Sequence, residues 1–199
     1  MNKLEIQKRV LRFGEPLALD KFEWCRETKT FSTEAYNVIL DFRGFEGVTF
    51  KTGGGCTFKT DDSCVFYTGH WCIFETRDMC VFKTGESCVF DTGSWGHFYT
   101  GDGGLFKTGG YCQFDTGDNC VFKTDEGCVF KTGEECVVVR RDVHEVIELP
   151  KDQSIRLKGH DVKGYEVIKE EVKTILIGDR EIEISKAEFE SLKQQLIKE

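Results

Sequence analysis

The 199-residue sequence has no apolar run approaching the roughly 18 residues that a membrane-spanning helix requires. Its opening, Met1-Asn-Lys-Leu-Glu-Ile-Gln-Lys-Arg-Val, mixes charge with apolar residues and has no long apolar stretch of the signal-peptide kind, so a cytoplasmic location is expected. A basic footprint is also missing. Net charge is −8, and residues 50–137 hold thirteen Asp/Glu against seven Lys/Arg, so direct nucleic-acid binding is not expected. Metal chemistry lacks its usual spacings: there is no Cys-x-x-Cys, and neither His70 nor His97 recurs with a partner at ligand distance. The Gly-Gly-x-Gly-x-Asp unit of calcium-binding solenoids is absent. No residues repeat a nucleophile–base–orienter pattern, and His144 and His160 stand alone. The sequence therefore assigns no catalytic residue, metal ligand or cofactor, and it does not read as an enzyme.

What is present is a repeat. From Phe50 to Val137 an eight-residue unit, Phe-x-Thr-Gly-x-x-Cys-x, runs eleven times without insertion or deletion. Every unit has its Phe, from Phe50 to Phe130, and its Thr two residues later, from Thr52 to Thr132. Nine have Cys at the seventh place; Gly96 and Gly104 replace it in units six and seven. In Cys88-Val-Phe-Asp-Thr92, strand geometry sends Cys, Phe and Thr to one face and Val and Asp to the other. Lysine dominates the Asp91 place elsewhere (Lys51, Lys59, Lys83, Lys107, Lys123, Lys131), and a lysine ladder faces water. Cys, Phe and Thr therefore face in, with Thr expected to bond the corner backbone. The glycine after Thr is expected to supply a positive φ at each corner. Nine of ten cysteines sit in one repeat column, which fits small buried thiols in a reducing compartment better than a disulfide framework.

One octad cannot bury its inner face; stacking rungs ~4.8 Å apart closes the core. The expected fold class is mainly β, a parallel β-solenoid. Two octads per coil give a flattened form of 16 residues, and three give a triangular form of 24. Replacement of the corner glycine at Asp61, Arg77 and Asp125, all in even units, favours 16, as does the 32-residue spacing of Tyr67 and Tyr99. The 24-residue spacing of Trp71 and Trp95 argues the other way.

The flanks are out of register. Residues 1–41 are expected to form an N-terminal cap, with a helix or strand over Lys3–Phe13, a hairpin over Phe22–Thr33 turning at Glu27–Lys29, and a strand over Asn37–Phe42. Phe42 lies eight residues before Phe50, which suggests that residues 42–49 are a degenerate first rung of a solenoid spanning 42–141. Residues 142–199 are expected to form a small α+β module. It would contain strands at Val143–Leu149, Ile155–Lys158 and Tyr165–Lys169, a hairpin around Gly178-Asp179, and a helix opened by a Ser185–Glu188 capping box.

The Cys-x-Phe spacing resembles pentapeptide-repeat solenoids, although the period here is eight. The run Cys-Val-Phe-Lys-Thr-Gly at Cys80–Gly85 and Cys128–Gly133, with the exit Cys136-Val-Val-Val-Arg-Arg141, more closely resembles octapeptide-repeat proteins encoded by bacteriophages and prophages. The resemblance implies a phage origin and says little of activity.

A non-enzymatic, rigid structural or protein-interaction scaffold is the expected role, with a macromolecular protein partner or self-association and no membrane partner. Candidate partner residues are the outward Val81, Val89, Val121 and Val129 and an aromatic group near the repeat's interruption: Trp71, Trp95, His97, Tyr99 and Tyr111. The loss of two inner cysteines leaves room that Trp95 is expected to fill by turning inward. The alternative is a nucleic-acid-mimicking inhibitor of a host DNA-handling or defence protein, carried by acidic corners such as Asp61-Asp62, Asp78, Asp102 and Asp118.

Overall fold

The computed structural model describes residues 2–169, 172–177 and 180–185, together with Phe189 and Lys193. The chain divides into two compact units, Met1–Val167 and Ile168–Glu199.

The first unit is a parallel β-solenoid of about seven turns with 16 residues per turn, the flattened form. Register shows the period directly: Phe82 aligns with Phe66 on one side and Phe98 on the other, each 16 residues away. Alternate octads feed two facing sheets. Sheet one stacks strands centred on Phe31, Phe50, Phe66, Phe82, Phe98, Phe114 and Phe130. Sheet two stacks strands centred on Leu40, Phe58, Phe74, Phe90, Phe106, Phe122 and Val138. Strands are only three or four residues long, ending at or just before Thr, where the chain turns to reach the opposite sheet. Trp71 and Trp95 therefore lie at opposite edges, at the sheet-one-to-two and two-to-one corners respectively.

The repeat pattern places Phe, Cys and Thr inside and the lysine column outside, as expected. Phe rings on the same sheet lie parallel, for example Phe66 on Phe82 at 5.0 Å and 3°. Rings from opposite sheets meet edge to face, as Phe82 and Phe90 do at 5.2 Å and 79°. Both geometries suit the aromatic quadrupole. Nine of the eleven inner threonines donate their hydroxyl to the carbonyl of the next residue; the hydroxyls of Thr92 and Thr132 find no partner.

The cysteines of the repeat are buried, and all ten are unpaired. Neighbouring thiols hydrogen-bond along the columns. These bonds lower the pKa of Cys56 and Cys88 to about 6, of Cys64 to about 7, and also that of Cys112. The same bonds together with burial raise their partners Cys72, Cys80 and Cys128, and burial raises Cys120 to about 11. Small, buried and unpaired, the repeat thiols serve as packing groups.

Both ends close by reversing strand direction. At the start, Val10–Arg12 pairs antiparallel with Val38–Asp41, and Glu23–Cys25 pairs antiparallel with Thr30–Thr33. Phe22 stacks on Phe31 at 5.4 Å, and Ile6 of the short helix Lys3–Gln7 is fully buried. The expected hairpin and Val38–Asp41 strand are thus present, and Lys3–Phe13 holds both a helix and a strand. The degenerate-rung expectation is corrected. Leu40, not Phe42, aligns with Phe58, and residues 42–48 form a loop. Phe42 still reaches the core, its ring edge-on to Phe50 at 5.0 Å, because the extra residues of this loop let it fold back.

At the other end, Glu145–Glu148 and Ile155–Leu157 pair antiparallel with the last strands of sheets two and one, and Tyr165–Val167 extends sheet one. Residues up to Val167 are therefore part of the solenoid unit, whereas the sequence placed the start of a separate module at residue 142. Arg140 explains the close packing. It occupies the inner Thr place of the last rung, is fully buried, pairs with Asp142, and donates to the carbonyls of Val162 (2.7 Å) and Gly159 (3.3 Å). In the second unit, Val172–Ile177 and Arg180–Ser185 form the expected antiparallel hairpin. Phe189 and Lys193 are helical; the rest of the expected C-terminal helix and most of its capping box lie outside the described residues.

Candidate functional site

A corner in this fold has two special positions. The first is the glycine after Thr. Gly93, Gly117 and Gly133 do not have positive φ, so the sequence expectation for them is corrected. They are glycine for room. A Cβ on Gly117 would lie 1.8 Å from Asp102 Oδ1, and one on Gly93 would lie 1.9 Å from Asp78 Oδ1. Those carboxylates cross over the glycine to accept the backbone N–H one coil ahead: Asp78 from Ser94 (2.8 Å), Asp102 from Asp118 (2.9 Å) and Asp118 from Glu134 (2.7 Å). Asp62 accepts from Asp78 (3.0 Å) in the same way, but across Arg77. His70 Nδ1 does the same for Glu86 at 2.9 Å. Where glycine is replaced, charges pair along the edge: Arg77 with Asp61 at 3.3 Å, and Arg141 with Asp125 through two bonds of 3.0 and 2.6 Å.

The second position lies two residues later, just before Cys, and it is left-handed in all eleven units. Glycine serves at Gly55, Gly103 and Gly127; eight units place another residue there at φ between 55° and 64°. Its side chain points away from the core. At the sheet-two-to-one corner the column reads Ser63, Met79, Trp95, Tyr111, Gly127. Met79, Trp95 and Tyr111 are 55 %, 55 % and 46 % exposed. The Trp95 and Tyr111 rings stack at 4.7 Å and 9°, and the Tyr111 ring lies over Gly127. Met79 was not singled out from sequence; its 16-residue offset from Trp95 was the available signal.

Trp95 thus faces out, against expectation. The space left by the missing cysteines is filled from within, since a Cβ on Gly96 or Gly104 would meet the Phe98 ring at 2.8 Å or the Phe106 ring at 2.5 Å. Register continues unbroken through His97, so there is no bulge.

The remaining candidates spread over different surfaces. Trp71 lies on the opposite edge beside His70. Tyr99 is on the outer face of sheet one, where Lys83 sits 5.8 Å from its ring and 5.5 Å from that of Tyr67. Val81, His97 and Val129 share that face and are half-buried. Val89 and Val121 are on sheet two, in an exposed row with Ile73 and Leu105. Of the aromatic group, only Trp95 and Tyr111 are brought into contact.

The concavities are shallow. One of about 490 Å³ near the N-terminal cap is lined by Trp24, Arg26, Lys29, Phe45 and Asp61, of which the sequence reading singled out Asp61 alone, as an acidic corner. Among the described residues no group of three or more His, Cys, Asp or Glu is placed to hold a metal ion, and no helix is long and apolar enough to cross a membrane.

Fold and surface define a capped parallel β-solenoid with ordered outer columns. No family model, curated protein or solved structure matches the chain.

Proposed function

We propose that the chain is a non-enzymatic scaffold whose solenoid unit is a rigid rod that presents fixed columns of side chains to a macromolecular protein partner or to copies of itself. The row Met79, Trp95, Tyr111 carries this reading. A left-handed backbone costs an L-residue about 1–2 kcal/mol, a cost glycine avoids. Gly127 holds the equivalent place one coil on, yet three consecutive coils accept the strain and expose a large apolar side chain as well. A flat, stacked aromatic pair on a rigid edge is suited to protein contact. The octapeptide resemblance supports a phage-encoded protein acting in the host cytoplasm. The nucleic-acid-mimic alternative draws less support. Asp62, Asp78, Asp102 and Asp118 each accept a backbone N–H from the next coil, which leaves less negative charge free to imitate phosphates.

The experiment is a capture assay from host lysate comparing the native chain with Trp95→Gly. The variant relieves the strained φ and loses the ring stack, effects of opposite sign, so its stability is expected to stay within about 1 kcal/mol of native. Loss of capture at unchanged stability would support an edge contact. Equal capture would remove the edge from the reading, and salt-sensitive capture of nucleases or topoisomerases independent of Trp95 would favour mimicry.

A further inference from the structure

The outer face of sheet two carries two adjacent exposed columns, one aliphatic and one charged. Ile73, Val89, Leu105 and Val121 align rung on rung and are 39–50 % exposed. Beside them, on the same four rungs, stand Glu75, Asp91, Lys107 and Lys123. The order of charge over these four rungs is therefore minus, minus, plus, plus; Lys59 and Val139 flank them, and reversal sets those two opposite each other without a like-charge pair. Reversed, it becomes its own complement.

We infer that this face pairs with the same face of a second copy, the two rods antiparallel about a twofold axis that runs along the strands between the Phe90 and Phe106 rungs. That axis sets Asp91 opposite the partner's Lys107 and Glu75 opposite the partner's Lys123. It also seats Val89 against the partner's Leu105 and Ile73 against the partner's Val121. A twofold interface has to be self-complementary, and this column is. The register is specific. A shift that puts the axis on the Phe90 or Phe106 rung sets Asp91 or Lys107 against its own copy. Parallel rods would set the charged column against the aliphatic one. Like charges across an interface are penalised, so charge selects one arrangement while the aliphatic row supplies apolar burial. Sheet one has no such order: its equivalent column reads Lys51, Tyr67, Lys83, Tyr99, Asp115, Lys131. Within one chain Lys107 already reaches Asp91 at 2.7 Å and Lys59 reaches Glu75 at 2.9 Å, so the dimer would join these exposed pairs into a network across the axis.

This inference extends the scaffold reading and uses a different surface from the Trp95 edge. The test is sedimentation equilibrium of the full chain up to sub-millimolar concentration, with two charge variants. K107E/K123E makes the column wholly acidic; E75K/D91K makes it wholly basic. The native chain is expected to dimerise. Each variant alone is expected to weaken its own dimer at least about tenfold, the loss associated with opposed like charges. An equimolar mixture of the two is expected to restore a dimer containing one of each, which also shows that both are folded. A native chain that remains monomeric throughout, variants that dimerise like the native chain, or a mixture that restores nothing would overturn the proposal. Dissociation by Trp95→Gly but not by the charge variants would overturn it too, moving self-association to the edge.

Discussion

The inside of the rod and its corners are built from the same octads but follow different rules. Inside, one solution repeats: Phe on Phe and Cys on Cys, with a ring from the facing sheet set edge-on between them. When two cysteines are lost, the neighbouring Phe98 and Phe106 rings take the space and the register continues. Before Cys the corners keep only a backbone rule, a left-handed residue, and vary its side chain from glycine to tryptophan. A packed interior couples each residue to its neighbours, whereas an outward corner side chain is constrained by little besides its own φ. Variation that could carry recognition therefore collects on the outside.

The comparison breaks first if the interior is not the source of stability. Phe90→Ala is expected to cost about 3–5 kcal/mol in urea unfolding, since the ring is 1 % exposed and contacts rings on both sheets. A cost near that of an exposed lysine substitution would overturn the inside–outside assignment.

Arg140→Ala is expected to cost about 3 kcal/mol, because it strands the buried Asp142 carboxylate and frees the carbonyls of Val162 and Gly159. The same pair gives a pH dependence. Burial pushes the Asp142 carboxyl up, but the Arg140 hydrogen bond and charge outweigh it and leave the pKa lowered. Its folded value is thus below its unfolded value of about 4, so its contribution is present above that pH and lost as pH falls further, through the folded value. Urea midpoints of the native chain and of Asp142→Asn should therefore converge in acid; a constant gap would deny the pairing.

Gly117→Ala sharpens the corner rule. The added methyl displaces the Asp102 carboxylate from the Asp118 N–H, and a hydrogen bond to a charged group is worth about 2 kcal/mol. Thermal melts should show that loss without any change in oligomeric state. The smallest effect expected is at the interruption. Gly96→Cys restores the repeat consensus yet should destabilise by about 1–2 kcal/mol, because the Phe98 ring occupies the site. A gain in stability would mean that the interior does not repack as described.

Much of the fold was legible because an octad with strict alternation leaves one way to bury Phe and Cys. Even the coil length was marked, by Asp61 with Arg77 and by Asp125 with Arg141 just past the last octad, each pair 16 residues apart. What escaped notice depended on contacts between coils. Gly93, Gly117 and Gly133 answer to a carboxylate fifteen residues earlier, and Trp95 is held outside by a φ that no residue type announces. Of the candidate surface, the valines were visible as outward-facing; the outward position of Trp95 and the grouping of the residues were not.

The sequence by itself determined the period, the parity of inside and outside, and hence a stacked β-solenoid, because those follow from alternation and burial along a single strand. Only the tertiary structure decided which columns became neighbours. It set Trp95 on Tyr111, gathered Glu75, Asp91, Lys107 and Lys123 into one line, and folded residues 145–167 over the end of the rod. Neighbourhood across sixteen residues is a property of the coil, and it exists only once the chain has closed its turn.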